Sequence, residues 1–337
     1  MKKLYKRNFL KISDFNKSEI TKIIQFARIL KKNKEKKKEV RYLKNKKIAL
    51  IFEQESTRTR CAFEIAAFEQ GAYTSYFAPN NLHLGYKESA HDTIKVMEKI
   101  YDGIAYRGIK HNNLKILSEN SNIPIWNGLT EKYHPTQLLA DILTMQECTP
   151  QKKISEIICT YVGDASNNIA NTILELASIL GFNLRLVAPK LYWPNKNTLN
   201  KYQIKYNKKI LCTEDIEQGV KNTDFIYTDV WLSMGTNQKE LEKRIKILRK
   251  YQVNYQMLEL TKNLNIKVLH CLPALHDINT ILGKNISEKY NMQNGIEITN
   301  DVFQDNKNII FTQSNNKLHT IKSLMILTLK KNVNIPI

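Results

Sequence analysis

Ser56-Thr57-Arg58-Thr59-Arg60 puts three hydroxyls and two guanidinium groups within five residues. Hydroxyls donate to oxyanions, and a guanidinium fork matches phosphate oxygens two at a time. A helix beginning here would add its unsatisfied N–H groups to the same cradle. The loop is neither a Walker A sequence nor a G-x-G-x-x-G turn. Arg60 is expected to be structural, paired to a neighbouring carboxylate. Tyr106-Arg107-Gly108 offers another guanidinium, which taken alone is either a surface charge or a second hand on the same anion. In His134-Pro135-Thr136-Gln137 the proline suits the first turn of a helix and sets His134 at its cap. His134 and Gln137, one turn apart, could donate to a carbonyl oxygen; the plainer alternative is a capping histidine with no ligand.

Three more loops stand in the second half: Gly163-Asp164-Ala165-Ser166-Asn167-Asn168, Asp229-Val230-Trp231-Leu232-Ser233-Met234-Gly235 and His270-Cys271-Leu272-Pro273-Ala274. Each is a weak signal by itself. His270 beside Cys271 suggests a thiol–imidazole dyad, but neighbours on a strand point to opposite faces, which argues against one.

Short apolar runs alternate with helix-like stretches and must position these loops. Strands are expected at residues 47–52, 103–106, 124–127, 157–162, 184–188, 224–228 and 267–270, with helical spacing at 61–68, 136–145 and 319–329. The alternation implies an α/β protein of two domains, each a parallel β-sheet flanked by helices, spanning residues 1–150 and 151–318. Residues 319–337 form a C-terminal helix expected to pack back on the first domain. In such sheets ligands sit beyond the carboxyl ends of the strands, where all of these loops fall.

Composition narrows the classes further. The 337 residues include 52 Lys plus Arg against 32 Asp plus Glu, a net charge of +20. That excess invites a nucleic-acid reading. The basic residues are spread along the chain, however, apart from the run at residues 31–38, which reads as a solvated helix end or connector, and no base-reading motif is present. No apolar run reaches the ~18 residues that span a bilayer, and the first residues lack the apolar core of a secretory signal. Five cysteines without a CxxC pair suggest a reducing, cytoplasmic setting and no zinc site.

Taken in order, Ser-Thr-Arg-Thr-Arg, Tyr-Arg-Gly, His-Pro-Thr-Gln, Gly-Asp-x-x-Asn-Asn, Asp-Val-Trp-x-Ser-Met-Gly and His-Cys-Leu-Pro resemble the aspartate/ornithine carbamoyltransferase family over essentially the whole chain. The Asp229–Gly235 and His270–Pro273 loops are most similar to its ornithine-specific branch. The resemblance implies transfer of a carbamoyl group from carbamoyl phosphate to the side-chain amine of ornithine, giving citrulline and phosphate, in a cleft between the two domains. It implies that Ser56, Thr57, Arg58 and Thr59 hold the phosphate with Arg107, and that His134, with Pro135, Thr136 and Gln137, binds the carbamoyl group. Asn168, Asp229, Ser233 and Met234 would hold ornithine. Cys271 and Leu272 would contact the carbamoyl group and the amine, with a cis Leu272–Pro273 bond. Arg58, Arg107, His134, Asp229 and Cys271 are the expected catalytic residues. A homotrimer without metal or organic cofactor is also implied, with no nucleic-acid or membrane partner.

Two positions depart from the family pattern. His83 stands where a glutamine usually precedes the Gly-x-Lys-Glu-Ser loop, and Lys317 stands where an arginine precedes His319 by two residues. A lysine gives a point charge where arginine gives a planar fork, so orientation of carbamoyl phosphate is the property at stake. The rival within the enzyme class is a sister carbamoyltransferase acting on putrescine or another amine. Putrescine lacks the α-amino and α-carboxyl groups that Asn168, Asp229 and Ser233 can meet.

Overall fold

The central strand of the first half, Lys47–Phe52, is buried from Ile48 onward, as a strand covered on both faces must be. A computed structural model describes residues 4–79, 88–205, 210–231 and 238–333. By its internal contacts the chain divides into a first unit, Met1–Leu143 with Asn315–Ile337, and a second, Thr144–Ser314.

The first unit runs α1 (Lys17–Glu35), β1 (Lys47–Phe52), α2 (Thr57–Glu69), β2 (Tyr73–Phe77), α3 (Ala90–Ile100), β3 (Gly103–Arg107), α4 (His111–Glu119), β4 (Ile125–Leu129) and most of α5 (Pro135–Cys148). Its sheet is parallel, in the order β2-β1-β3-β4. The lysine-rich run at 31–38 straddles the end of α1, where Lys34 pairs with Glu69. The core fills with Ile48, Leu50, Phe63, Ile104 and Trp126, all fully buried, each such side chain contributing about 1.5–3 kcal/mol of hydrophobic stabilisation.

The second unit contains β5 (Ile158–Val162), α6 (Asn168–Leu180), β6 (Asn183–Val187), α7 (Lys196–Lys205), β7 (Ile210–Thr213), α8 (Ile216–Val220), β8 (Phe225–Thr228), α9 (Gln238–Leu248), α10 (Tyr255–Leu260), β9 (Lys267–His270), α11 (Ile281–Tyr290) and the start of α12 (Asn300–Leu329). Its sheet is also parallel, in the order β7-β6-β5-β8-β9. The edge strand β9 has outward N–H groups that would lack partners. Asn306 Oδ1 accepts from Val268 at 2.9 Å and Gln313 Oε1 from His270 at 3.1 Å.

Three boundaries differ from the sequence reading. By contacts the change of unit falls at Leu143, within α5 and a few residues before the expected division near residue 150. The last helix begins at Asn300 rather than residue 319, since polar residues such as Asn306 and Gln313 satisfy β9 and so belong inside it. The division at 318/319 likewise moves to Ser314/Asn315. From there the helix is tied to the first unit: Trp126 donates to Thr328 at 3.0 Å, Ser323 donates to the Ile23 carbonyl at 2.8 Å, and buried Lys322 pairs with Glu39 and Glu69.

Candidate active site

In each unit the strand order reverses at one place: between β1 and β3 in the first, and between β5 and β8 in the second. Loops leaving the carboxyl ends of those strands diverge in opposite directions and leave a crevice.

At the first crevice Ser56 is the N-cap of α2, but its hydroxyl makes no capping bond. The N–H groups of the first turn of that helix have no intrahelical acceptor. Arg107 ends β3, and it and Arg58 are half-buried. Arg60 is the structural residue expected: its Nε donates to Glu64 at 2.9 Å and its guanidinium lies 3.6 Å from the centroid of the Tyr76 ring.

His134 immediately precedes Pro135, the first residue of α5, and accepts at its carbonyl from Gln137 N–H at 3.2 Å. Residues 134–137 are all buried. Lys317, 3% exposed, reaches this corner from α12, donating to Thr59 Oγ1 at 2.8 Å and Gln137 Oε1 at 3.1 Å, with His134 Nε2 at 3.4 Å. Gln137 in turn donates to Asp141 at 2.8 Å. Burial pushes the His134 imidazole well below its ordinary pKa, and Lys317, Arg107 and Arg58 push the same way. Lys317, Arg107 and Arg58 are all cationic, and the ring is neutral, with one N–H to give. The arrangement is a cationic receptor for an anion, next to a neutral donor suited to a carbonyl oxygen.

The second crevice has different chemistry. Gly163, at φ +118°, follows β5 in a conformation that L side chains rarely adopt, and a Cβ there would stand 3.2 Å from Trp231 Nε1. Asp164 caps the following turn, accepting from Ser166 N–H at 2.9 Å, and pairs with Arg244 at 2.6 Å. Arg244 also donates to the Trp231 carbonyl at 3.1 Å, which ties the loop after β5 to the loop after β8. Asp229, 8% exposed, accepts from Cys271 Sγ at 3.0 Å, Asn167 Nδ2 at 3.3 Å and the Val230 N–H at 2.8 Å. Burial raises its carboxyl pKa; His270, Cys271 and the Val230 N–H oppose that rise, and Glu297 adds to it. Asn168, the first residue of α6, is half-buried and gives its carbonyl to Thr172.

Possible ligand atoms of Asp229, His270 and Cys271 lie within 4.8 Å of one another. His270, however, accepts the Leu272 N–H at Nδ1 (2.9 Å) and has Nε2 3.2 Å from Glu297, so both ring nitrogens are engaged. Leu272–Pro273 is cis and Leu272 has φ +56°.

The sequence-predicted residues therefore form two groups. Thr59, Gln137, His134 and Lys317 meet in the first unit, with Arg58 and Arg107 near enough to bear on His134. Asp229 and Cys271 meet in the second. His83, Ser233 and Met234 lie outside the described residues. Asn167 stands just before a helix, where an asparagine is a strong N-cap signal, and joins the site beside Asn168: its Oδ1 caps α6 while its amide group reaches Asp229. Arg244 and Glu297 carried no local sequence signal.

Comparison with known proteins also divides the chain into two domains, with Lys317 inside the span of the second family model. Residues 7–147 match the aspartate/ornithine carbamoyltransferase carbamoyl-P binding domain, and residues 155–328 match the Asp/Orn binding domain. The chain is 59% identical to an ornithine carbamoyltransferase of Buchnera aphidicola subsp. Baizongia pistaciae over 334 residues, 98% of each chain. It is 51% identical to that of Blochmanniella floridana, covering 99% of this chain and 97% of the relative. Among solved structures, ornithine carbamoyltransferase from Pyrococcus furiosus superposes with a TM-score of 0.86 at 31% identity, covering 98% of this chain and 99% of that one. The anabolic enzyme from Campylobacter jejuni gives 0.81 at 32% identity, covering 95% and 97%.

Proposed function

The chain belongs to the aspartate/ornithine carbamoyltransferase family, and from that premise we propose how its two residue clusters share the reaction. The activity is transfer of the carbamoyl group of carbamoyl phosphate to the side-chain amine of L-ornithine, giving L-citrulline and phosphate. The neutral amine attacks the carbamoyl carbon, the bond to the phosphate oxygen breaks, and phosphate leaves with the electron pair while the amine loses a proton.

The observation that carries the division is a contrast of charge. The groups bearing on His134 are cations of the first unit, and the thiol–carboxylate pair belongs to the second. In this reading Ser56, Thr57, Arg58, Thr59 and Arg107 hold the phosphate, and Lys317 adds a charge from α12. His134 donates to the carbamoyl oxygen, with Pro135 and Thr136 shaping the corner and Gln137 beside it. Fixed donors at a developing oxyanion act where water is excluded, and removing one costs about 3–4 kcal/mol. His83 belongs to the same set.

Asn168, Asp229, Ser233 and Met234 hold ornithine, and Cys271 with Leu272 faces the amine and the carbamoyl group. At pH 7 a lysine-like amine must give up its proton at a cost of about 4.6 kcal/mol. Holding the two substrates in register can supply about 7–11 kcal/mol against the barrier. Asp229, kept in place by Cys271 and Asn167, orients the amine once the proton has gone. The working form is a homotrimer, which light scattering would test. The protein works in the cytoplasm, a reading supported by free cysteines throughout the described residues and by no helix there being long and apolar enough to cross a membrane.

The experiment is a citrulline assay varying carbamoyl phosphate and ornithine, with putrescine and aspartate as competing amines. Saturable citrulline formation that neither amine suppresses is the expected result. Preferential carbamoylation of putrescine would replace ornithine as the substrate.

A further inference from the structure

Tyr161, on β5, is fully buried, and the chemistry described so far gives it no role. Its ring packs against Tyr227 of the neighbouring strand β8, with centroids 5.8 Å apart, which holds the phenol in place. Burial pushes the phenol pKa well above its ordinary value, and Asp229, Asp164 and Cys271 add to that rise while a bond from Asn167 opposes it. The hydroxyl therefore keeps its proton, and its oxygen accepts from Asn167 Nδ2 at 2.8 Å.

Asn167 has one amide oxygen and two amide N–H groups to place. The oxygen is committed, because it accepts the Ala170 N–H at 2.8 Å and so caps α6. The nitrogen must then face the other way, where it gives one N–H to Tyr161 and the other to Asp229 Oδ2 at 3.3 Å. Asp229 Oδ1 is held separately, by Cys271 at 3.0 Å and the Val230 N–H at 2.8 Å. The terminal torsion of an asparagine is soft, so the cap alone would leave the aim of the amide loose. Tyr161 supplies the second fixed point.

We propose that Tyr161 is a positioning residue for carbamoyl transfer: its hydroxyl orients the Asn167 amide, which holds the Asp229 carboxylate where it meets ornithine. This role deepens the reading of Asp229 given above and rests on it. Tyr161 touches neither substrate and acts through Asn167.

The test uses the full-length enzyme with Tyr161→Phe, Asn167→Ser and the double variant. It measures kcat, both KM values and, by ¹⁵N NMR, solvent exchange of the Asn167 side-chain amide, whose signal Asn167→Ser identifies. Phenylalanine keeps the packing on Tyr227 and removes only the acceptor. Tyr161→Phe should therefore lower kcat/KM for ornithine at least about fivefold, as leaving a donor unpaired does, with the carbamoyl phosphate KM within about threefold of wild type. Serine still caps α6 but is too short to reach Tyr161 or Asp229. Asn167→Ser should lower the same quantity at least as far, and adding Tyr161→Phe to it should cost less than about a further twofold, because the two residues share one interaction. Effects that multiply would overturn the role, as would a Tyr161→Phe enzyme with wild-type kcat/KM for ornithine or with both substrates equally impaired. In wild type the Asn167 amide protons should exchange more slowly than those of an exposed asparagine. Exchange as fast as that would overturn the role, and this measurement decides even if Tyr161→Phe does not fold. Were the wild-type protein to form no citrulline, the underlying functional reading would fall and take this role with it. Active wild type beside an unaffected Tyr161→Phe removes this role alone.

Discussion

At the β1/β3 crevice of the first unit, Arg58, Arg107 and Lys317 bear on a buried histidine that they help to hold neutral. At the β5/β8 crevice of the second, Asp229 takes hydrogen bonds from Cys271, Asn167 and Val230, and burial raises its affinity for a proton. Both sheets are parallel and both sites form where the strand order reverses. Architecture thus supplies the place, while the side chains on a few loop positions supply the sign. A cationic corner suits an anion that must leave with an electron pair. An acceptor-rich corner suits an amine that must arrive without its proton.

The contrast breaks most severely at Arg58. Arg58→Gly should lower turnover by about 10²- to 10³-fold, with circular dichroism unchanged; turnover within tenfold of wild type would remove the phosphate role from this residue. Next comes Asp229→Asn. It should lower kcat/KM for ornithine by about 10- to 100-fold, as for a hydrogen bond to a charged group, while the carbamoyl phosphate KM moves less than threefold. Equal effects on both substrates would erase the division of labour.

Activity against pH sharpens the comparison. His134 is held neutral, so the rising limb belongs to the ornithine amine, and kcat/KM for ornithine should climb from pH 6 to 8.5 with a slope approaching tenfold per unit. A flat profile where chemistry limits the rate would contradict this.

Stability against pH should separate the halves too. Burial and the nearby Lys322, Lys34 and Lys31 lower the His319 imidazole of the first unit to about 3. Between about pH 3 and the ordinary histidine value near 6.5, the unfolded chain binds a proton that the folded chain refuses. Stability therefore falls with acid there, by at most about 1.4 kcal/mol per pH unit for this group. Asp229 has the opposite sign, because a raised carboxyl pKa means that acid relieves the cost of burying its charge. Urea midpoints of wild type and His319→Gln between pH 7.5 and 5 check this, the variant showing the shallower loss. The smallest effect is expected at Arg60→Ala, which gives up a stacked, partly exposed ion pair worth about 1 kcal/mol or less. Its turnover should stay within twofold of wild type, and a large loss would move Arg60 into the phosphate site.

Much of this was legible in the sequence because buried parallel strands write themselves as unbroken apolar runs. Lys47–Phe52 and Lys267–His270 were delimited to the residue. The edge strands β2 and β7 were missed because their sequences are mixed: Tyr73–Phe77 is half-exposed throughout, so no apolar run marks it. The site motifs were legible where consecutive residues share a job, as in 56–60 and 134–137. Lys317 could be placed only through the family pattern, and its bonds to Thr59 and Gln137, 258 and 180 residues away, follow from how α12 returns to the first unit. Arg244 and Glu297 escaped because each acts on a loop distant in sequence, and a lone charged residue carries no record of its partner.

The central claim is that the first unit binds carbamoyl phosphate on its own cationic corner, independently of the acidic pair in the second. Equilibrium binding of carbamoyl phosphate without ornithine, to wild type, Arg58→Gly and Asp229→Asn, tests it most directly. Binding lost in Arg58→Gly and kept at wild-type affinity in Asp229→Asn is the expected result; binding that survives in Arg58→Gly but vanishes in Asp229→Asn would contradict it.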